Sequence, residues 1–465
     1  MTTTLLTGIS ELWTLDPALD DPARPGAVAE EQVLRDAALV IEDGRVAWTG
    51  PAGTAPAADA AEDLGGRAVL PGWVDSHSHL VFDGDRAAEF EARMAGQSYA
   101  AGGIGVTTAA TREASDERLR DLVRDRLAEA AAGGTTTMET KTGYGLTVAD
   151  EARAARLLAA LAEAGELDEV TFLGAHLVPG EYDGRDGRPD SEEYVDLVAG
   201  EMLAAVAPHV RWIDVFCEDG AFDPGQSERV LRAGSAAGLG LRVHGNQLGR
   251  SGGVALAAEL GAASVDHLNH LAAEDVEALA ATASRPVAPA DAAVAAKPSA
   301  DGAADGAAAG AADGAATGAA DGVAAGTVAG RAPGRLAVGA GPTVATVLPA
   351  CDLSTRAPLA PARALLDAGA ALAIASNCNP GTSYTSAMSF CVATAVLQMH
   401  LSLAEAVRAA TRGGALALRR DDVGHLGIGA RADLHVLDAP AAIHLAYRPG
   451  MPLTHQVRRR GEQIA

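Results

Sequence analysis

Long apolar runs, basic charge and paired cysteines are all scarce in this chain, and each scarcity removes a class of function. No stretch of about 18 or more strongly apolar residues occurs, the length at which a membrane-spanning helix becomes the expectation. The opening segment MTTTLLTGISELWTLDPALDD has neither a basic flank nor an extended apolar core, so it does not read as a secretory signal. A cytoplasmic location, with no membrane partner, is the resulting expectation. The four cysteines, Cys217, Cys351, Cys378 and Cys391, form no CxxC pair, which argues against a zinc knuckle or a disulfide framework. Lys and Arg number 36 against 61 Asp and Glu, a formal net charge of −25. That field repels a phosphate backbone, so no nucleic-acid partner is expected. It also repels small anions, so an anionic substrate requires a local basic group in its pocket.

What the chain does contain is alternation. Its 465 residues suffice for one large barrel and a small accessory domain. The segment ALVIEDGRVAWTG reads as a hairpin turning at Asp43-Gly44. ADLHVLD and HQVRRRGEQIA near the other end also alternate as strands do. Between these ends lie eight strand candidates: AVLPGWVDSH, TTTMETK, VTFLGAH, WIDVFCE, LRVHGNQ, ASVDHL, ATVLPA and ALAIASN. Helical patterns separate most of them, among them SDERLRDLVRDRLAEAAAGG with Ser115 as its N-cap. Strands alternating with helices imply a parallel sheet, and eight such units predict a (β/α)₈ TIM-type barrel. The expected division is 1–70 and 413–465 in a small β-sandwich domain made from both chain ends, with 71–412 as the barrel.

One segment departs from this pattern. From about 282 to 341 the chain repeats Ala-Asp-Gly units and has almost no large apolar side chain. Such sequence cannot bury enough surface to offset its ordering entropy, so it reads as a disordered insertion, with a lid as the alternative.

Polar residues recur where the strand candidates end, the end that forms the active-site face in such barrels. His77 and His79 follow the first strand, Glu139 and Lys141 the second, and His176 the third. Glu218 follows the fourth, His244, Asn246 and Gln247 the fifth, Asp266 and His267 the sixth, and Asn377 and Asn379 the eighth. His77 and His79 stand two apart, so their side chains share one face of a strand and can chelate one zinc or iron ion. His244 is the natural third ligand, since a catalytic metal commonly takes three protein ligands. His267 reads either as a ligand or as an acid/base beside the substrate. Arg86 presents a planar fork suited to a carboxylate, or else pairs with Glu89 or Asp83. Tyr144, on a glycine-flanked loop, either touches a ligand or caps the barrel. Cys378 reads as a buried bystander thiol.

Taken in order, DSHSHLVFDGDRAAEF, ETKTGYGL, TFLGAH, DVFCEDGAF, VHGNQLG, SVDHL and NPGTS resemble the motifs of the imidazolonepropionases of histidine degradation. The resemblance spans nearly the whole chain outside the insertion. It implies hydrolytic opening of 4-imidazolone-5-propanoate to N-formimidoyl-L-glutamate with one zinc or iron ion, in a homodimer. It implies His77, His79 and His244 as metal ligands. It places Arg86, Tyr144, His176, Gln247, Asn379, Gly381 and Thr382 around a small anionic substrate. His267, with Gln247, would act at the reacting carbonyl.

One departure from the family's motifs bears on the chemistry. The family carries Asp at the end of the eighth strand, where Ser376-Asn377-Cys378-Asn379-Pro380-Gly381 places Asn377. An amide oxygen can approach a metal, but it is neutral and cannot serve as a carboxylate base. Two other readings therefore stay open: a catalytically impaired binding protein of the same fold, and another cyclic-amide hydrolase or deaminase. Deletion of the Ala-Gly-Asp insertion is expected to leave folding and turnover close to unchanged, measured by thermal unfolding and ring-opening rate. Collapse of either would show that the segment is ordered or functional.

Overall fold

A computed structural model describes residues 2–21, 26–96, 103–182, 191–288 and 335–465. The first four strands are β1 (Thr3–Trp13), β2 (Val33–Glu42), β3 (Arg45–Pro51) and β4 (Ala60–Pro71). Asp43 and Gly44, with φ of 49° and 73°, join β2 to β3. Two consecutive left-handed residues are what a tight turn matching the twist of paired strands requires. The next eight strands form the barrel: β5 (Trp73–Asp75), β6 (Thr135–Lys141), β7 (Glu169–Ala175), β8 (Trp212–Cys217), β9 (Gly240–Gly245), β10 (Ser264–His267), β11 (Val344–Val347) and β12 (Leu372–Ile374). Three more strands follow, β13 (Leu434–Leu437), β14 (Thr454–Arg459) and β15 (Glu462–Gln463).

The two chain ends meet in one sheet of order β15-β14-β13-β4-β1-β2-β3. The antiparallel ladder between β13 and β4 joins them. Leu6, Ile9, Leu39, Val69, Leu434 and Val436 are buried together in this sheet's core.

The barrel strands pair in sequence order, each parallel to the next. A parallel bridge between Ser78 and Cys378 closes the ring from β5 to β12. Every residue of β6 to β9 is buried, as expected for strands covered on one side by helices and on the other by the barrel interior. The covering helices include Asp116–Ala132, where Ser115 Oγ accepts from Arg118 N at 3.1 Å, and Val148–Glu163 and Pro224–Ala236. No helix among the described residues is long and apolar enough to cross a membrane.

The first strand candidate, AVLPGWVDSH, is divided between the two sheets. Residues through Pro71 pair in the terminal sheet, and the barrel strand begins at Trp73. Gly72 is the switch point. Its N–H donates to Asp433 O at 2.9 Å, whereas Trp73 N donates to Gly134 O at 2.9 Å. A Cβ at Gly72 would lie 2.2 Å from Thr136 Oγ1, so the crossing requires glycine.

Most of the Ala-Gly-Asp insertion, 289–334, lies outside the described residues. At its margins the chain is packed. Thr282 ends a helix and its Oγ1 accepts from Thr343 N at 3.1 Å. Leu336 and Ala337 are buried, and Leu336 N donates to Arg419 O at 2.8 Å.

Gly72→Ala is expected to destabilise the fold by about 1–3 kcal/mol, the usual range for overpacking. Thr136→Ala in the same chain removes the two nearest atoms and should recover part of that loss. Denaturant unfolding of both variants checks this; an undisturbed midpoint in Gly72→Ala would refute the close approach.

Candidate active site

The side chains that end the barrel strands converge at one mouth. His77 and His79 follow β5, and His244 lies in β9. His79 Nε2 is 3.3 Å from His77 Nε2 and 3.4 Å from His244 Nε2. Two nitrogens bound to one tetrahedral zinc at about 2.0–2.1 Å stand about 3.3 Å apart, so these spacings match the edges of a metal coordination polyhedron. A nitrogen of His267 lies within 4.8 Å of those of His77 and His244. Burial holds His77, His79 and His267 well below the ordinary histidine range, so each is a neutral donor.

The far nitrogens explain why the near ones are bare. His77 Nδ1 meets Asp266 Oδ2 at 2.6 Å, and His244 Nδ1 meets Asp214 Oδ1 at 3.0 Å. A carboxylate only accepts, so both rings carry their proton on Nδ1 and turn an Nε2 lone pair inward. Converging lone pairs of this kind fit a cation. The donor set therefore suits a metal ion.

Beneath the histidines lies a fully buried charged network. Lys141 Nζ bridges Glu139 Oε1 at 2.8 Å and Asp214 Oδ2 at 3.0 Å. Arg242 Nη2 reaches Asp266 Oδ2 at 3.4 Å and donates to Ser76 O at 2.6 Å. Burial opposes ionisation of Asp214, but His244 and Lys141 beside it hold its carboxyl far below the ordinary range. Lys141 is thus a charge partner of Glu139 and Asp214.

Above the histidines, Arg86, Tyr144, His176, Gln247, Asn379 and Thr382 line one small cavity with Asn377 and His267. Arg86 is gripped by Glu89, with Nε and Nη2 each 2.7 Å from a carboxylate oxygen. The pairing weighed from sequence is therefore present, yet Arg86 is buried and belongs to the cavity wall. A Cβ at Gly381 would lie 2.3 Å from Arg86 Nη1, so glycine there makes room for the guanidinium. His176 Nδ1 donates to Gly143 O at 2.8 Å, and burial brings its pKa down to about 4. Its ring stacks on His79, with centroids 5.6 Å apart.

The Asn379 amide organises its own loop. Oδ1 accepts from Gly381 N and Thr382 N at 2.9 and 2.8 Å, and Nδ2 donates to Asn377 O at 2.6 Å. Asn377 has φ of 52° and His267 φ of 86°. Left-handed backbone is costly for a residue with a side chain, and such strain gathers at functional sites.

Sequence reasoning missed several supporting residues. Asp214 drew no notice, although an acid inside the apolar strand WIDVFC is an available signal. Glu151 accepts from Gly143 N, Gly145 N and Leu146 N at 3.0, 2.8 and 2.9 Å, and so shapes the loop that presents Tyr144. Asp266 and Glu218, the carboxylates at the ends of the sixth and fourth barrel strands, are both committed elsewhere. Asp266 holds His77 and Arg242, and Glu218 accepts from Gln247 N and Leu248 N at 2.5 and 3.2 Å. Burial pushes Glu218 up to about 7. Cys378 is a buried free thiol pushed up to about 12, too high to act as a nucleophile.

Removing Lys141 leaves Glu139 and Asp214 buried without their shared cation. Breaking a buried pair costs about 3–5 kcal/mol, so Lys141→Met should lower the unfolding free energy of metal-free protein by about that amount. Urea unfolding checks it, and an unchanged midpoint would contradict the clamp.

Comparison with known proteins places this geometry. The model of the amidohydrolase family matches residues 68–457. Curated relatives named imidazolonepropionase include one from Micrococcus luteus, 61% identical and covering 100% of both chains. Another, from Paenarthrobacter aurescens, is 57% identical over 99% of this chain and 98% of the relative. Among solved structures, an atrazine chlorohydrolase from Arthrobacter aurescens complexed with zinc is similar, with a TM-score of 0.61 at 17% identity, covering 99% of this chain and 94% of that one. An adenosine deaminase from Xanthomonas campestris with bound zinc gives a TM-score of 0.62 at 17% identity, over 99% and 92%. The structural likenesses bear on the fold alone, whereas the sequence identities carry the family. With its full length aligned to these relatives and its histidines converged at the barrel mouth, the chain belongs to the imidazolonepropionase family of amidohydrolases.

Proposed function

We propose that this protein hydrolyses 4-imidazolone-5-propanoate to N-formimidoyl-L-glutamate, using one zinc or iron ion held by His77, His79, His244 and the side chain of Asn377. The observation that carries the reading is the convergence of three Nε2 atoms at 3.3 and 3.4 Å below a cavity walled by Arg86. When bound, the ion supplies the Lewis acidity that makes water a nucleophile near neutral pH.

The chain's own residues do the rest. Among the described residues, Arg86 is the one Lys or Arg that lines the cavity, and it supplies the local positive charge that a propanoate needs in an acidic protein. Glu89 holds its fork flat, and Gly381 leaves it space. Tyr144, His176, Asn379 and Thr382 complete the wall and orient the ring. No Asp or Glu lines the cavity among the described residues. The proton of the attacking water therefore passes to a neutral imidazole. His267, kept neutral by burial, takes it through a ring nitrogen and returns it to the departing ring nitrogen. Gln247, held by Glu218 through its backbone, orients the reacting amide and helps stabilise the oxyanion.

Purified protein should carry up to about one zinc or iron per chain, as a single three-histidine site implies. His77→Ala should lose most of it, measured by elemental analysis. Metal-free protein that consumes the imidazolone chromophore at full rate would sink the metal reading. Asn377→Asp restores a carboxylate at the barrel mouth and should raise both metal retention and turnover. A positioned general base is worth about 10²–10⁴-fold, which bounds the gain in turnover. A variant that gains neither would show that the neutral amide is no handicap.

A further inference from the structure

We infer that the negative charge balancing the divalent ion sits one hydrogen bond behind the ligands, on Asp266 and Asp214, and that both are positioning residues for the histidines they hold. The inference rests on His77 and His244 being ligands, as proposed above. A metal ion at the cluster would meet only side chains that bind it in an uncharged form: the imidazoles of His77, His79, His244 and His267, and the amide of Asn377. Neutral donors alone bind a divalent cation less strongly than a set containing a carboxylate.

The use Asp266 makes of its two oxygens points to charge rather than to hydrogen bonding. Oδ2 takes both His77 Nδ1 at 2.6 Å and Arg242 Nη2 at 3.4 Å. Oδ1 is buried with no hydrogen-bond partner. Orienting His77 needs only one acceptor oxygen, which an amide supplies without the cost of burying an ion. A buried carboxylate with one oxygen idle is stable only where positive charge faces it. Arg242 supplies some of that charge, but it also serves Ser76 O and Ala417 O. Lys141 is occupied between Glu139 and Asp214. Within this connected set three carboxylates, Glu139, Asp214 and Asp266, face two cations, Lys141 and Arg242. One negative charge remains, directed through His77 and His244 at the point where their Nε2 atoms meet. Hydrogen bonding to a carboxylate also makes an imidazole a stronger donor at its other nitrogen.

Asp266→Asn isolates the charge. Its amide oxygen can keep both bonds of Oδ2, and its NH₂ takes the place where Oδ1 has no partner. Full-length protein stripped of metal is titrated with zinc against a chromogenic chelator at fixed pH. Zinc affinity should fall by roughly 10–100-fold, the range for losing such a partner. The unfolding midpoint of the stripped variant should not fall, since an unbalanced buried charge has been removed. Asp266→Asn combined with Asn377→Asp should recover the affinity, because the charge moves to the barrel mouth. If Asp266→Asn does not fold, Asp214→Asn, acting on His244, should lower zinc affinity in the same way; because Asp214 also pairs with Lys141, its stripped form is expected to lose stability, so zinc affinity alone is read. Unchanged zinc affinity, or a loss that the combined variant leaves in place, overturns the inference. His77→Ala separates it from the reading beneath: wild-type zinc affinity in His77→Ala removes the metal site itself. Zinc lost in His77→Ala but kept in Asp266→Asn removes only the role of charge.

Discussion

Asn377 gives its backbone N–H to His77 O at 3.0 Å, and His79 gives its own to Cys378 O at 2.9 Å. These two bonds close eight parallel strands into a ring. Behind them, the buried Asp75 carboxylate accepts from Ser376 N at 3.1 Å and from Ser376 Oγ, clamping the same seam from inside. Residues some 300 positions apart become neighbours because of this closure. An open sheet would leave His77 and Asn377 on opposite edges, and no single cation could meet both. Closure also buries the strands on both faces, so their backbone polar groups are satisfied only within the ring.

Inside that ring the dominant problem is charge. Glu139, Lys141, Asp214, Arg242 and Asp266 are all inaccessible to water. Buried ions seldom stabilise a fold relative to apolar residues, so their presence calls for a use. Here each carboxylate touches either a cation or the far nitrogen of a histidine, and the histidines point their remaining lone pairs at one another. The same packing that makes the network costly makes the rings neutral and rigid. Cavity walls follow the same economy: Glu151 shapes the loop of Tyr144, Glu218 that of Gln247, and the Asn379 amide its own turn.

Much of the fold is legible in the sequence. Each of the eight strand candidates overlaps one barrel strand, and the Asp43-Gly44 hairpin and the Ser115 cap form as their local chemistry predicts. Periodicity and capping are local properties, so a linear reading reaches them. Where it failed, a tertiary contact intervened. AVLPGWVDSH reads as one strand, but Gly72 passes so close to Thr136 that the chain changes sheets there.

The candidate site divides along the same line. The amino-acid sequence alone determined the residue types: histidines two apart on a strand face, polar groups at seven of the eight strand ends, and an amide at Asn377. Those are matters of covalent order and period. Only the tertiary structure decided which partners those residues keep. His77 and Asp266 are 189 positions apart, and His244 and Asp214 are separated by 30. Nothing in local sequence couples them, because a hydrogen bond between strand ends exists only after the barrel has closed. That closure also settles which nitrogen of each ring carries the proton, and so which one faces the mouth.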